Sequence, residues 1–300
     1  MLASFLTTIL FSLSAISGRR LTLHLHGTKA NLLRLLLGAL LLGAWSHAFG
    51  FGVGGAAFPW LFLSGCIGFG VGDLALFQAY PRLGARRAIV MAQCGAAPMA
   101  ALVEWAWLGH APTLAQTAYA VLILVGVSFA LLPHEDSDEP AHHLRAGILF
   151  GVISAFGQGF GAVLSRKAYA VAAAQHQEFH GVGDGLNAAY QRMLGGIFVT
   201  GIFLCYVKLA HKPDDTRPNN WRRAWPLLIA NCLAGPTLGV TCYQWALIST
   251  PTSIALPIIA TTPLMVIPLA HFLDGERVTR HAVFGGIAAA AGVVGLTLTG

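Results

Sequence analysis

The stretch AFPWLFLSGCIGFGVGDLALFQA, residues 57–79, carries only one charged side chain, Asp73. A helix needs about 20 mostly apolar residues to cross the hydrocarbon core of a bilayer, and this stretch is long enough. Nine further apolar stretches fill most of the remaining chain. Together they predict ten membrane-spanning segments: residues 1–17, 30–48, 57–79, 88–108, 113–133, 146–165, 188–208, 224–248, 251–272 and 281–299.

The composition agrees with a protein that lies in a membrane. Charged residues make up 10% of the chain and hydrophobic residues 56%, and the mean hydropathy is +0.67. Soluble domains carry roughly 25% charged residues. The longest predicted loops, residues 134–145, 166–187 and 209–223, are too short to bury a core of their own. We therefore expect the protein to act inside or across the membrane.

The spans are predicted to be helices. Backbone groups inside a bilayer must pair with each other, which leaves helices or a closed barrel. The continuous apolar runs lack the strict alternation of a barrel strand. Residues 1–17 have no basic start and no cleavage site followed by a soluble chain, so we interpret them as the first helix and not as a signal peptide. The predicted fold is an all-α polytopic membrane protein with ten transmembrane helices.

A weak internal repeat divides the chain into two halves at an offset of about 165 residues. The matched pairs are Gly70 with Gly235, Pro98 with Pro263, Gln78 with Gln244 after a shift of one residue, and, by the flanking sequence, Arg34 with Arg192. Each half is predicted to hold five helices. Because five is an odd number, the second half crosses the membrane in the opposite orientation to the first, as in many secondary transporters. The predicted repeats are residues 1–133 and 146–300, joined by an acidic, histidine-containing linker at 134–145.

Short motifs recur in both halves. The second half has YQWAL at 243–247, Pro263 in the next helix and FLDGER at 272–277. The first half has FQAY at 77–80, Pro98 and LG at 108–109, with His110-Ala111 where Glu-Arg is expected. In these motifs and their two-copy arrangement the chain resembles the drug/metabolite transporter superfamily with two EamA-type domains. The resemblance implies a transporter of small solutes in a bacterial inner membrane.

Two predictions of orientation disagree. Lys and Arg concentrate in the loops after odd-numbered segments, and only Arg166 and Lys167 lie in loops after even-numbered ones. The positive-inside rule places the crowded side in the cytoplasm, so that both termini face outward. The family resemblance implies that both termini face inward. Both orientations stay open.

Charged side chains inside a membrane are expensive and mark candidate functional sites. Asp73 follows three closely spaced glycines, which allow close helix approach or local unwinding, and it is the candidate coupling residue for a proton or ion. Arg34 and Arg192 occupy matching positions and can hold a carboxylate or phosphate. Each lies close to the predicted start of its helix, however, so snorkelling to the interface in an orienting or structural role is the favoured alternative.

Uncharged polar side chains complete the candidate solute site. Amides inside spans can bind a solute or bridge helices. The candidates are Gln78, Gln93, Gln158, Asn231 and Gln244, with Trp245 and the tyrosines Tyr80, Tyr190 and Tyr243 as aromatic walls. Each amide alone is more typical of helix bridging, whereas the set is typical of a polar cavity.

Prolines within spans are candidate gating kinks, because a proline inside a helix frees a carbonyl. Pro98 and Pro263 match in the repeat, and Pro257 lies in the same predicted span as Pro263. A static packing kink is the alternative for each. Glu104 lies beside Trp105 and is predicted to lie at the interface, since tryptophans mark the headgroup level.

Other classes of protein are disfavoured. No P-loop, His-Glu-x-x-His or Gly-x-Ser-x-Gly motif is present, so we expect neither an enzyme nor direct use of ATP. We expect no cofactor. We also expect no nucleic-acid partner, because the basic residues lie mostly in the predicted loops. The run at 134–143 could bind a metal but is more typical of a solvated linker, and no metal site is predicted. The predicted function is export of a small metabolite such as an amino acid by alternating access. A multidrug efflux transporter and a membrane scaffold or receptor are the alternatives.

Overall fold

All elements in the described part of the chain are helical. A computed structural model describes residues 2–108, 113–130, 141–177, 179, 181–209, 219–249, 258–259, 261–274 and 280–299. The α-helices are α1 (Leu2–Thr22), α2 (Gly27–Phe49), α3 (Phe58–Gly65), α4 (Asp73–Ile89), α5 (Gly95–Leu108), α6 (Leu114–Ala130), α7 (Ala141–Ala174), α8 (Val182–Leu209), α9 (Trp221–Cys232), α10 (Leu238–Ser249), α11 (Thr262–Asp274) and α12 (Arg280–Leu298). Three π-helical turns interrupt them: π1 (Cys66–Gly72), π2 (Val90–Cys94) and π3 (Leu233–Thr237).

Six helical stretches are long and apolar enough to cross a membrane, judged by length and composition. They are 2–22, 27–49, 58–100, 143–174, 182–209 and 221–248. Shorter apolar helices cover 114–126, 262–273 and 283–295. The prediction of an all-helical membrane fold is confirmed.

A sharp bend divides the long helical stretch from α3 to α5. Gly84 has φ 76° and ψ 168°, a conformation that side chains disfavour and glycine adopts readily. The bend falls between the predicted spans 57–79 and 88–108, where the sequence indicated a tight turn.

Several helices are longer than the apolar pattern predicted. α2 begins at Gly27 and α8 at Val182, and α7 continues to Ala174. Arg166 and Lys167, which the prediction placed in a loop, therefore lie within α7. The boundary was wrong because the polar pair is followed by AYAVAAA, whose alanines favour continued helix.

Glycines bring the backbones of α3, π1, α7 and α8 into contact. A Cβ built on Gly65 would lie 1.8 Å from the carbonyl oxygen of Arg192, and one on Gly195 would lie 2.0 Å from that of Phe62. A Cβ on Gly157 would lie 2.5 Å from the Cα of Gly72. Small residues at such crossings are how membrane helices gain packing contact.

The loop between α2 and α3 is tied to α8 by side chains. Gln191 donates to the carbonyls of Gly52 and Gly54 at 2.9 Å, and Asn187 accepts from the Phe51 amide at 2.9 Å and from the hydroxyl of Ser46. These contacts hold the loop against α8.

Candidate functional site

A cavity of about 150 Å³ lies at the centre of the bundle. Its lining comes from both predicted halves, and all three π-helical turns contribute to it. The charged and amide members are Arg34, Asp73, Gln93, Gln158 and Arg192. Because π-helical turns occur frequently at functional sites, their convergence here marks the cavity as the candidate solute site.

A buried ion pair occupies one wall of the cavity. A terminal nitrogen of Arg34 contacts Oδ2 of Asp73, and the two residues are 4% and 6% exposed. Gln158 donates from Nε2 to Oδ1 of Asp73 at 2.6 Å. The guanidinium of Arg34 also lies 4.5 Å from the ring centre of Phe77. Both carboxylate oxygens of Asp73 therefore already accept a hydrogen bond.

Asn31 supports this pair from behind. Its Oδ1 accepts a hydrogen bond from Nε of Arg34 at 3.0 Å, and its Nδ2 donates to the Phe69 carbonyl and the Thr200 hydroxyl, both at 3.2 Å. The amide thus joins α2, π1 and α8. Sequence reasoning missed Asn31, although its position three residues before Arg34 places both on one helix face.

Arg192 lies at the cavity without a hydrogen bond or ion pair to any described residue. It is 4% exposed, and its Nε has no hydrogen-bond partner. The guanidinium carbon lies 5.2 Å from the ring centre of Phe69. A Cβ on Gly68 would lie 2.9 Å from Nη2, so glycine leaves room for the side chain. This arrangement presents a cation to the cavity.

The expectation that Arg34 and Arg192 snorkel to the interface is wrong. Because α2 and α8 begin earlier than predicted, the two arginines lie about two to three turns inside their helices. The side chain of an arginine at that depth packs inside the bundle, which here encloses the cavity.

The predicted amides fall into two groups. Gln93 and Gln158 line the cavity, together with Tyr80 and Tyr243. The remaining candidates contact other helices. Gln78 donates to the hydroxyl of Thr28 at 3.3 Å, Gln244 accepts from the hydroxyl of Tyr169 at 2.5 Å, Tyr190 contacts Nε2 of His47 at 3.0 Å, and Trp245 packs against a buried cluster that includes Ala246.

Asn231 bridges α9 to α1. It is fully buried, and its Nδ2 donates to the Ser14 carbonyl at 2.7 Å and faces the Ser14 and Ser17 hydroxyls at 3.1 and 3.3 Å. We expect Asn231→Ala to lower the free energy of unfolding by about 1–3 kcal/mol, because the buried hydrogen bond is lost and the Ser14 carbonyl is left without its donor. Thermal unfolding of the detergent-solubilised protein measures this.

The matched control for that variant is Gln78→Ala, which removes an amide with two long hydrogen bonds, each 3.3 Å, at a half-buried site. Its loss of stability should be smaller. If Asn231→Ala instead weakens solute binding at unchanged stability, Asn231 is a binding residue and the helix-bridging interpretation is wrong.

The predicted proline positions differ in the structure. Pro98 is buried within α5, whereas Pro263 is the second residue of α11, where a proline removes no intrahelical hydrogen bond. Pro263 therefore does not kink the middle of a described helix. Pro236, within π3, lines the cavity and was not singled out from the sequence. Pro257, the side chain of Glu104 and residues 134–140 of the linker lie outside what the structure describes.

The fold and cavity together define a polytopic, helical integral membrane protein with buried charges. The model of the EamA-like transporter family matches residues 1–132 and 145–298, and the chain belongs to this family, within the drug/metabolite transporter superfamily. A solved crystal structure of another protein is similar in fold, with a TM-score of 0.64 and 16% identity over 99% of this chain and 96% of that one. No curated protein matches the sequence.

Proposed function

We propose that the chain is a secondary transporter that exports a small metabolite, about the size of an amino acid, by alternating access. The main observation that supports this proposal is the central cavity, which is lined by the buried residues Arg34, Asp73 and Arg192. A charge in this position is expensive to keep inside a membrane, and such groups line solute pathways. This placement of the charged side chains fits a mechanism in which the solute binds near the membrane midplane and two helix bundles rock about the binding site.

Inverted five-helix halves, residues 1–133 and 146–300, are part of the proposal. The offset of 165 residues carries π1 onto residues 231–237, a range that contains π3. Arg34 and Arg192, matched by their flanking sequence, both reach the cavity. Equivalent helix breaks and equivalent arginines at one site support a duplicated transporter with the acidic linker between its halves.

The size of the cavity favours a small metabolite over a bulky drug. Sites for drug-sized ligands usually measure about 300–1,000 Å³, whereas this one measures about 150 Å³. A drug pump for cations would also need a free acid, and Asp73 already pairs with Arg34. A scaffold or receptor would have no need for two buried arginines at a cavity.

Energy coupling is proposed to run through a proton, an ion or a counter-solute. The sequence has no P-loop motif for ATP. Among the described residues that line the cavity, Asp73 is the only carboxylate, which makes it the candidate site of coupling. The proposed location is a bacterial inner membrane.

Metabolite profiling inside and outside cells that express the protein tests the proposal. We expect at least one small solute to accumulate outside the cells relative to cells with an empty vector, and purified protein in liposomes to exchange it. Accumulation inside the cells would contradict export. If neither cells nor liposomes show movement of any solute over a broad panel, the transporter proposal is wrong.

A further inference from the structure

Among the described residues that line the cavity, positively charged side chains outnumber negatively charged ones by one. Of its described lining residues, Arg34 and Arg192 are cationic and Asp73 is anionic. Asp73 is ion-paired with Arg34 and accepts a hydrogen bond from Gln158. The net charge of the described lining residues is therefore that of Arg192, since arginine stays protonated in proteins.

The predicted repeat explains why this charge is left over. The position that matches Asp73 at an offset of 165 residues is Leu238, whose side chain is 45% exposed on the outer surface of α10. Among the described lining residues, the first half thus supplies both members of an ion pair, whereas the second half supplies only the arginine. A buried charge without a partner is destabilising, and a bound anion offsets that cost.

We infer that the transported solute is a small organic monoanion whose carboxylate binds Arg192, an inference that rests on the proposed transport function. The planar guanidinium fork matches a carboxylate in a two-point contact. One negative charge neutralises the site, whereas a phosphate monoester brings about 1.5–2. The remainder of the solute lies against apolar lining that includes Phe69, Val240 and Tyr243.

The same geometry disfavours a zwitterion such as a free amino acid. An ammonium group needs a counter-charge, and Asp73, the carboxylate among the described lining residues, is already paired with Arg34. Placing an ammonium beside Arg192 would also put two cations in one low-dielectric site. The carboxylate, and not the amino group, is therefore the recognised feature.

Matched pairs of probes test the charge preference on the wild-type protein. Benzoate is compared with benzamide, and 3-methylbutanoate with valine, by thermal stabilisation in detergent and by competition for exchange in liposomes. Each pair has nearly constant shape, and a 150 Å³ cavity accommodates a ring of this size. We expect the monoanions to bind at least about tenfold more tightly than the amide or the zwitterion.

Two variants assign the preference to Arg192. Arg192→Lys keeps the charge and loses the fork, so we expect about tenfold weaker binding of benzoate and 3-methylbutanoate. Arg192→Gln should abolish the difference between benzoate and benzamide. Because Arg192→Gln can fail to fold, the wild-type comparison stands as an independent test.

The outcomes separate this inference from the proposed function. If the protein exchanges valine, benzamide or methyl phosphate as well as or better than the monoanions, transport stands and the monocarboxylate inference is wrong. If it exchanges none of the probes and no solute from the cellular panel, the transport proposal itself fails. Selective exchange of the monoanions that Arg192→Lys weakens supports both.

Discussion

The variant Gly195→Ala is expected to lose about 3 kcal/mol or more of stability, at the upper end of the range for overpacking, and nearly all transport. The added Cβ would lie 2.0 Å from the carbonyl oxygen of Phe62 and 2.7 Å from the amide nitrogen of Cys66. Both are backbone atoms, which cannot rotate away as a flexible side chain can. Helix α8 must then separate from α3 and π1. Thermal unfolding in detergent and solute exchange in liposomes measure the two effects.

The loss of transport follows from the position of Arg192. It lies about one turn before Gly195 on α8, and its carbonyl oxygen lies 1.8 Å from where a Cβ on Gly65 would be. The same backbone contact that excludes a methyl group at Gly195 therefore fixes the depth of the guanidinium. A shift of α8 by one methyl width moves the cation relative to the ion pair on the opposite wall.

Gly201→Ala is the matched control, because the same change is made on the same helix with no atom within 4 Å of the new Cβ. Its stability should equal that of the wild type or exceed it slightly, since alanine is the better helix former. If Gly195→Ala is as stable as Gly201→Ala, α3 and α8 do not pack by backbone contact and the placement of Arg192 loses its support.

The helical membrane fold could be predicted from the sequence because one property decides it. Apolar length alone separates spanning segments from loops, and the bend at Gly84 falls where two apolar runs meet. Helix ends were predicted less well. The segment after Lys167 follows a charged pair that interrupts the apolar run, and the residues before Arg192 are helical without being strongly apolar, so apolar length indicated neither helix end.

The candidate site could be predicted only in part. Asp73 was singled out because a carboxylate inside a span is conspicuous, and the repeat paired Arg34 with Arg192. The contact between Arg34 and Asp73 joins residues on different helices and depends on the path of π1, which no local pattern encodes. Likewise, Gln158 and Asn231 are both amides inside spans. Only the three-dimensional packing shows that Gln158 lines the cavity and that Asn231 bridges two helices.

Asp73→Asn is expected to lower solute exchange at least tenfold and to cost about 3–5 kcal/mol of stability, the range for breaking a buried ion pair from one side. The asparagine can still occupy the space, but Arg34 then lacks its counter-charge while remaining buried. The cavity would hold two unneutralised arginines instead of one. Asp184→Asn, the same chemical change in the first turn of α8, should cost less than about 1 kcal/mol.

The double variant Arg34→Gln with Asp73→Asn separates the structural part of this effect from the functional part. Removing both charges leaves Arg192 as the one uncompensated charge among the described lining residues, as in the wild type, so most of the stability lost in Asp73→Asn should return. Exchange should not return, because the candidate coupling carboxylate is still absent. If the double variant is as unstable as the single one, the ion pair is not the source of the loss. If it exchanges solute at the wild-type rate, Asp73 has no role in coupling, and its place beside the cavity serves only to neutralise Arg34.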